Sequence, residues 1–308
     1  GRRYFLMANT TLLITGAAGF TGRHLIAAAN QKGYRCIAVA QHEGGEVPGA
    51  HSTVVADLLD PAALERTIEQ AAPDYIVHLA AISFVAHGNT SEIYQVNQLG
   101  TINLLDAIRR GVPDINKVLI ASSANIYGNT TDLPITETTP PAPVNHYGMS
   151  KVTMELATRL YPDLPIVMSR PFNYTGCGQS TNFLIPKIVN AFKTGKKEIK
   201  LGNLDVSRDF SDVRDMVTAY LRLLETENTA PAYNICSGTP TSLLTVIQML
   251  NELAGYEIQV SVNLNFVRSD EIKTLYGSHA LLESAIGNYR DFTLPDTLAW
   301  MLAEKEAA

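Results

Sequence analysis

The chain of 308 residues contains only three cysteines and one tryptophan, and no apolar run approaches the roughly 18 residues that a membrane span needs. Cys36, Cys177 and Cys236 cannot form a complete disulfide set and fall in or beside apolar runs, which implies a reducing compartment rather than a stapled secreted fold. Positive charge is not in excess either. The 24 Lys and Arg against 30 Asp and Glu leave −6, which argues against nucleic acid or anionic lipid as the main partner. The seven histidines show no ligand spacing and no Cys-x-x-Cys occurs, so no metal site is expected. Internal repeats and low-complexity stretches are absent. The early apolar run Thr11 to Thr15 is too short for a signal core, so a cytoplasmic protein is expected, and Gly1 to Leu6, ahead of Met7, are set aside as an appended tail.

With 46% hydrophobic and 18% charged residues the composition is that of an ordinary globular protein. Its length suggests about two domains, or one large α/β unit with an appended lobe. Short β-branched runs alternate with helix-period segments, which predicts a parallel sheet covered by helices. Strands are expected at residues 11–15, 34–40, 52–55, 74–80, 116–122 and 165–169, and helices at 20–32, 61–71, 92–110 and 146–160. The nearly all-apolar stretch from Asp74 to Ala80 reads as a central strand buried on both faces. Thr139 to Val144, rich in proline, reads as a turn inside the first domain. Beyond about residue 171 the rhythm loosens, with helices at 183–194, 212–225, 242–254 and 295–304 and short strands near 199, 207, 233 and 260. The expected fold is therefore α/β, a Rossmann-like doubly wound parallel sheet with a smaller C-terminal α/β lobe. Residues 8–170 form the dinucleotide-binding domain, to which later segments return, and 171–308 form mainly the substrate-binding lobe.

The first strand runs into Gly16-Ala-Ala-Gly19-Phe20-Thr-Gly22-Arg23 and then a helix, a turn whose backbone can approach a pyrophosphate at the positive helix end. A tight turn with no ligand is the plain alternative. The second strand ends in Gln41-His42, with no acid to bind the adenosine ribose hydroxyls of NAD; NADP(H) is favoured, NAD(H) remains possible, and Arg23 or His42 could face a 2′-phosphate. Asp57-Leu58 either lies against adenine or simply caps the helix ahead of Pro61. Tyr147 and Lys151, four residues apart, project from one helix face, and Ser123 lies at the carboxyl end of the fifth strand, at the edge where such sheets bind ligands. A tyrosine that ionises near 10 can give its proton to a ketone as hydride arrives, Lys151 can lower its pKa and stabilise the phenolate, and Ser123 can hydrogen-bond the same oxygen. An isolated strand-end serine would instead bond its own backbone.

These features, with Leu79-Ala80-Ala81, Val96-Asn97-x-x-Gly100-Thr101-x-Asn103, Ser122-Ser123, Tyr127-Gly128 and Arg170-Pro171-Phe172-Asn173, resemble the extended short-chain dehydrogenase/reductases that act on nucleotide sugars. The resemblance covers Thr11 to Trp300. It implies that Asn97 supports the helix bearing the Tyr/Lys pair, that Leu79, Ala80, Ala81 and Pro171 lie against the cofactor, and that Asn173 touches the substrate diphosphate. The 4,6-dehydratases of that family carry an acid pair where this chain has Ala124 and Asn125, so dehydration is disfavoured, leaving 4-keto reductases and C4 epimerases. Arg170 to Gln179, Ser207 to Asp215 and Arg268-Ser-Asp270-Glu271 are similar to the reductases that act on GDP-4-keto-6-deoxy-D-mannose and make GDP-D-rhamnose, with Cys177 in place of their usual proline. The resemblance thus implies a GDP-linked 4-keto-6-deoxyhexose as partner and a homodimer paired through the helices at 92–110 and 146–160.

Arg208 and Arg268 are candidates to meet the diphosphate, or else pair with Asp209 and Asp270; Lys187 is a further cation. Ser83, Asn125 and Glu271 complete the expected substrate set. His78, inside an apolar strand, reads as a buried hydrogen-bonded residue, and His146 either touches substrate or merely starts a helix. The competing readings are a C4 epimerase holding NAD tightly, a reductase of the same ketone that forms GDP-6-deoxy-D-talose, and a non-catalytic NADP(H)-binding sensor.

Overall fold

The structure is a computed structural model that describes residues 9–82, 89–227, 230–267 and 272–305. The first half alternates β1 (Thr11–Thr15), α1 (Phe20–Gln31), β2 (Arg35–Ala40), β3 (Ser52–Val55), α2 (Pro61–Ala71), β4 (Tyr75–His78), α3 (Thr90–Tyr94), α4 (Gly100–Gly111), β5 (Lys117–Ala121), α5 (His146–Thr158) and β6 (Ile166–Pro171). The second half continues with β7 (Asn173–Thr175), α6 (Leu184–Lys193), β8 (Glu198–Leu201), β9 (Ser207–Asp212), α7 (Val213–Glu225), β10 (Ala232–Ile235), β11 (Pro240–Ser242), α8 (Leu243–Ala254), β12 (Gln259–Val262), α9 (Ala280–Ile286) and α10 (Leu294–Ala303).

Seven parallel strands form the main sheet in the order β10-β6-β5-β4-β1-β2-β3. β4 is its middle strand, as its nearly all-apolar sequence predicts. Strand order reverses between β1 and β4, and the crevice beyond their carboxyl ends is where such sheets take ligands. Alternation along β1 sends Leu12 and Ile14 into a core shared with α1, α7 and α9, while Leu13 joins Leu64, Leu104, Ile108 and Met154 on the opposite face. A separate core from α6, α8 and α10, including Ile188, Val246, Leu250 and Leu298, underlies the later elements. There β11-β9-β7 and β12-β8 make two small sheets.

The helix expected at 92–110 is interrupted. Residues Gln95–Leu99 form a π turn between α3 and α4, and that wide turn carries Asn97 inward, as π bulges often do at functional sites. β7 and β11, at three residues each, are too short to show a period, and α9 was likewise not expected. Asp60, not Asp57, caps α2, accepting from Ala63 N at 3.1 Å. Among the described residues no helix is long and apolar enough to cross a membrane.

A tie between the halves runs through His24, and an aromatic stack in the second half and an ion pair in the first brace each from within. The Arg214 guanidinium lies 3.5 Å from the Phe292 ring centroid and 3.7 Å from that of Trp300, while His24 packs edge-on to Trp300 and bonds the Cys177 carbonyl at 2.7 Å. Deeper in, Glu155 of α5 accepts from Arg170 at 2.6 Å and from Ser122 Oγ at 2.6 Å, and Arg170 reaches the Tyr127 hydroxyl at 3.0 Å. This ion pair is nearly buried, with side-chain exposures of 13% and 9%. Removing one partner strands the other charge out of water. Glu155→Ala is therefore expected to cost about 3 to 5 kcal/mol of stability in urea unfolding, and the double replacement by Met substantially less.

Candidate active site

A cleft of about 2450 Å³ opens at the carboxyl ends of β1, β4, β5 and β6. It is more than twice the roughly 1,000 Å³ of a large small-molecule pocket, so it can take a dinucleotide and a second extended ligand together. Gly16, at φ +65°, begins its cradle; a Cβ there would lie 2.7 Å from Ala80 N, so only glycine lets the turn close on β4. Gly19 caps α1 without a side chain and the first turn has no acid, which leaves its N–H groups and positive dipole for a phosphate. Gly22 serves packing, since a Cβ would meet Ala17 at 2.6 Å. These observations fit the pyrophosphate of a nicotinamide dinucleotide, and Phe20, Leu79, Ala80, Ala81 and Pro171 also line the cleft.

A buried relay holds this cradle. Thr101 Oγ1 donates to the Asn97 carbonyl at 2.8 Å, so it must accept from His78 Nε2 at 2.9 Å. His78 Nδ1 then accepts from Thr15 Oγ1 at 2.6 Å, and the Thr15 oxygen accepts from the backbone N–H groups of Leu79 and Ala80 at 3.1 and 3.2 Å. Burial, helped by Lys151, pushes His78 down to about 3, so the ring stays neutral. The reading of His78 as a buried, bonded residue thus holds. Of its partners, Thr101 appeared only within a motif and was given no role, and Thr15, which directly precedes Gly16, was given none either.

Asn97 carries the network to the reacting groups. Its side chain brackets the backbone of Ile82 at 2.8 and 3.0 Å and donates to Ser150 Oγ at 3.1 Å, which donates to the Tyr147 carbonyl at 2.6 Å. Asn145 caps α5, accepting from Gly148 N at 2.8 Å, and a Cβ on Gly148 would meet the Asn125 carbonyl at 2.7 Å. Helix α5 is thereby seated against the short 3-10 turn Ala124–Tyr127, and Ser123, Tyr147 and Lys151 converge on the cleft.

Burial, reinforced by Tyr174, pushes the Tyr147 phenol up to about 12, while the Ser123 hydroxyl pulls the other way. The expected lowering by Lys151 is absent in this geometry. Its Nζ donates to the Ala121 carbonyl at 2.9 Å and lies 5.8 Å from the Tyr147 ring centroid. Lys151 is itself lowered to about 8 by burial, with Glu155 opposing. At neutral pH the site therefore presents a protonated phenol beside a charged ammonium.

The other expected residues divide. Asn125, Asn173, Arg208, His42 and His146 line the cleft, as does Leu58. Arg23 Nε instead donates to the Ala18 carbonyl at 3.1 Å, and Asp57 accepts from Leu59 N at 2.9 Å in its own turn; neither lines the cleft. Lys187 also stands outside the lining, 5.8 Å from the Phe266 ring centroid. Ser83, Arg268 and Glu271 lie outside the described residues. Asp209, offered as a partner for Arg208, is buried and accepts from Ser237 N and Oγ, both at 2.6 Å, and from Gly238 N and Gly277 N at 2.9 and 3.3 Å. Among the described residues no three His, Cys, Asp or Glu side chains gather into a metal site. Tyr174, whose hydroxyl lies 2.9 Å from Thr21 Oγ1 and whose ring stacks on Phe20, is a cleft residue that had not been anticipated.

The chain belongs to the NAD dependent epimerase/dehydratase family, which matches residues 12–236, and it is an NAD(P)-dependent oxidoreductase. It is 38% identical over 287 residues to a GDP-6-deoxy-D-talose 4-dehydrogenase of Aggregatibacter actinomycetemcomitans, covering 92% of this chain and 93% of that one. It is 32% identical to the GDP-6-deoxy-D-mannose reductase of Pseudomonas aeruginosa, covering 96% and 97%. The solved structure of RMD from Pseudomonas aeruginosa complexed with NADPH superposes with a TM-score of 0.82 at 31% identity, again over 96% and 97% of the two chains.

Two outcomes follow from this geometry. Gly16→Ala is expected to weaken dinucleotide binding at least about tenfold in calorimetric titration, because both its φ and its contact with Ala80 forbid a side chain. In the direction that draws a proton from Tyr147, turnover is expected to be level from about pH 6 to 7 and to fall as pH rises through about 8, where Lys151 loses its charge. Lys151→Arg, charged throughout, should remove that falling limb.

Proposed function

We propose that the protein uses NADPH to reduce the C4 ketone of GDP-4-keto-6-deoxy-D-mannose, forming GDP-D-rhamnose. The observation that carries this reading is the half-buried, protonated Tyr147 set with the buried Ser123 and Lys151 at the sheet's carboxyl edge, with no carboxylate at Ala124 or Asn125. A high phenol pKa suits a group that must start protonated and release its proton only as charge develops on the carbonyl oxygen. When bound, the reduced nicotinamide supplies a hydride. Tyr147 gives its proton to the ketone oxygen, Ser123 donates a hydrogen bond to the same atom, and Lys151 compensates the phenolate left behind. Hydride to carbon and proton to oxygen together make the alcohol.

Gly16, Gly19, Phe20, Gly22 and Leu79 to Ala81 would hold the dinucleotide with Asn97, Lys151 and Pro171. The absence of an acid at the end of β2, with His42 in the cleft, and the NADPH bound to the Pseudomonas aeruginosa relative support the phosphorylated coenzyme. Asn173 and Arg208 would grip the diphosphate from residues 171–308, assigned mainly to substrate binding, and so bring the ketone into reacting distance. Pairing of two copies across α4 and α5 is supported by Met149, Leu156 and Leu160, which are exposed on or just beyond α5. A second reading, attack giving GDP-6-deoxy-D-talose, is favoured by the relative at 38% identity.

The test offers enzymatically made GDP-4-keto-6-deoxymannose with NADPH or NADH, follows coenzyme consumption and identifies the sugar by NMR. Consumption of NADPH with a GDP-D-rhamnose product is expected, and Tyr147→Phe should slow it by about 10² to 10⁴. A talose product would select the second reading. If neither coenzyme is consumed, the substrate assignment fails, and turnover by protein already carrying NAD would indicate epimerisation.

A further inference from the structure

Asn125 stands where the dehydratases of the resemblance carry an acid, and here it faces the serine two residues before it. Its backbone N–H donates to Ser123 Oγ at 3.0 Å, and its side-chain Nδ2 donates to the same oxygen at 2.9 Å. A serine hydroxyl has two acceptor positions and one proton. We propose that Asn125 is a positioning residue that fills both acceptor positions of Ser123 and so makes that hydroxyl a donor only, aimed into the cleft beside Tyr147. This inference rests on the ketone-reduction reading and adds to it a direction for the hydrogen bonding.

Ser123 is buried, at 5% exposure, and Asn125 lines the cleft, so the direction is set inside the site rather than by bulk water. If Ser123 could accept, the Tyr147 proton would rest on it and the ketone oxygen would have to displace that bond. With both acceptor positions taken, the protons of Ser123 and Tyr147 are left to converge on one incoming oxygen. The influence of Ser123 on Tyr147 has the matching sign, because a hydroxyl that donates toward a phenol oxygen favours the phenolate. The backbone half of the arrangement survives any substitution at 125 that keeps the N–H, that is, any but proline. The amide half does not, and a carboxylate there would draw the Ser123 proton away from the cleft.

The test is a double-mutant cycle read by kcat, with dinucleotide affinity measured separately by calorimetry. Asn125→Ala should lower kcat about tenfold and Asn125→Asp about a hundredfold at pH 7.5, with dinucleotide affinity unchanged. In Asn125→Asp the rate should recover as pH falls toward about 5, where the introduced carboxyl takes up a proton and again has a donor. In a Ser123→Ala background neither replacement should cost more. Additive losses, or Asn125→Asp as active as the unaltered enzyme, would overturn the proposal. The second of these is what an amide accepting from Ser123 would give. Should the unaltered protein leave the keto sugar untouched, the substrate reading fails by itself, and the proposal is then judged without sugar. With ¹³C-labelled tyrosine, and Tyr147→Phe to assign the resonance, Asn125→Ala should move the Tyr147 Cζ signal when Ser123 is present and leave it in place when Ser123 is alanine. An equal movement in both backgrounds would overturn the proposal.

Discussion

At the sheet's switch point β1 and β4 lie side by side while the segments that follow them diverge, and the Thr15 hydroxyl holds the parting strands together. It accepts from two successive N–H groups beyond β4 and donates to an imidazole that burial keeps neutral. Each bond in this chain has a determined direction, from the backbone at Ala80 to the carbonyl of Asn97, and an unsatisfied member would carry a desolvation penalty of about 1 to 3 kcal/mol. The turn at Gly16 can approach Ala80 so closely only because the ends of both strands are pinned there. The cradle and the helix bearing Tyr147 thus share one buried polar frame, with Asn97 common to both parts.

The same burial governs the proton chemistry. It raises the phenol to about 12 and lowers the ammonium to about 8, so two groups of nearly equal ordinary acidity are driven apart, yet the neutral phenol and charged amine both persist near pH 7. Such a pair is poised to give a proton and then stabilise the anion. Glu155 favours the charged form of Lys151 one turn along α5, and Arg170 keeps that carboxylate from standing alone in the interior.

Much of this was legible in the residues, for identifiable reasons. Parallel strands buried on both faces leave near-continuous apolar runs, so the main sheet and its central strand could be read directly. The glycine turn, Tyr147 and Lys151 are local patterns whose meaning comes from their place at strand ends. What stayed hidden depends on distant partners. No local pattern places Thr101 against His78, or Asn125 against Ser123, and the π turn at Gln95–Leu99 interrupts what looks like one helix. Arg23 and Asp57 were read by type and position alone, yet nearby backbone groups in their own turns engage them. The direction of the acidity shift at Tyr147 was missed because sequence shows a neighbouring charge but not the depth at which both groups lie.

The chain's single tryptophan is Trp300, and it sits where the segments meet: beside His24 of α1, under Arg214 of α7, and against Gly176, where a Cβ would lie 2.9 Å from its ring. The protein thus carries its one indole at the joint between the cradle helix and the loop that follows Asn173. Excited at wavelengths that tyrosine does not absorb, its emission comes from that joint alone, so any rearrangement there can be followed optically, in the unlabelled protein and against no background from other indoles.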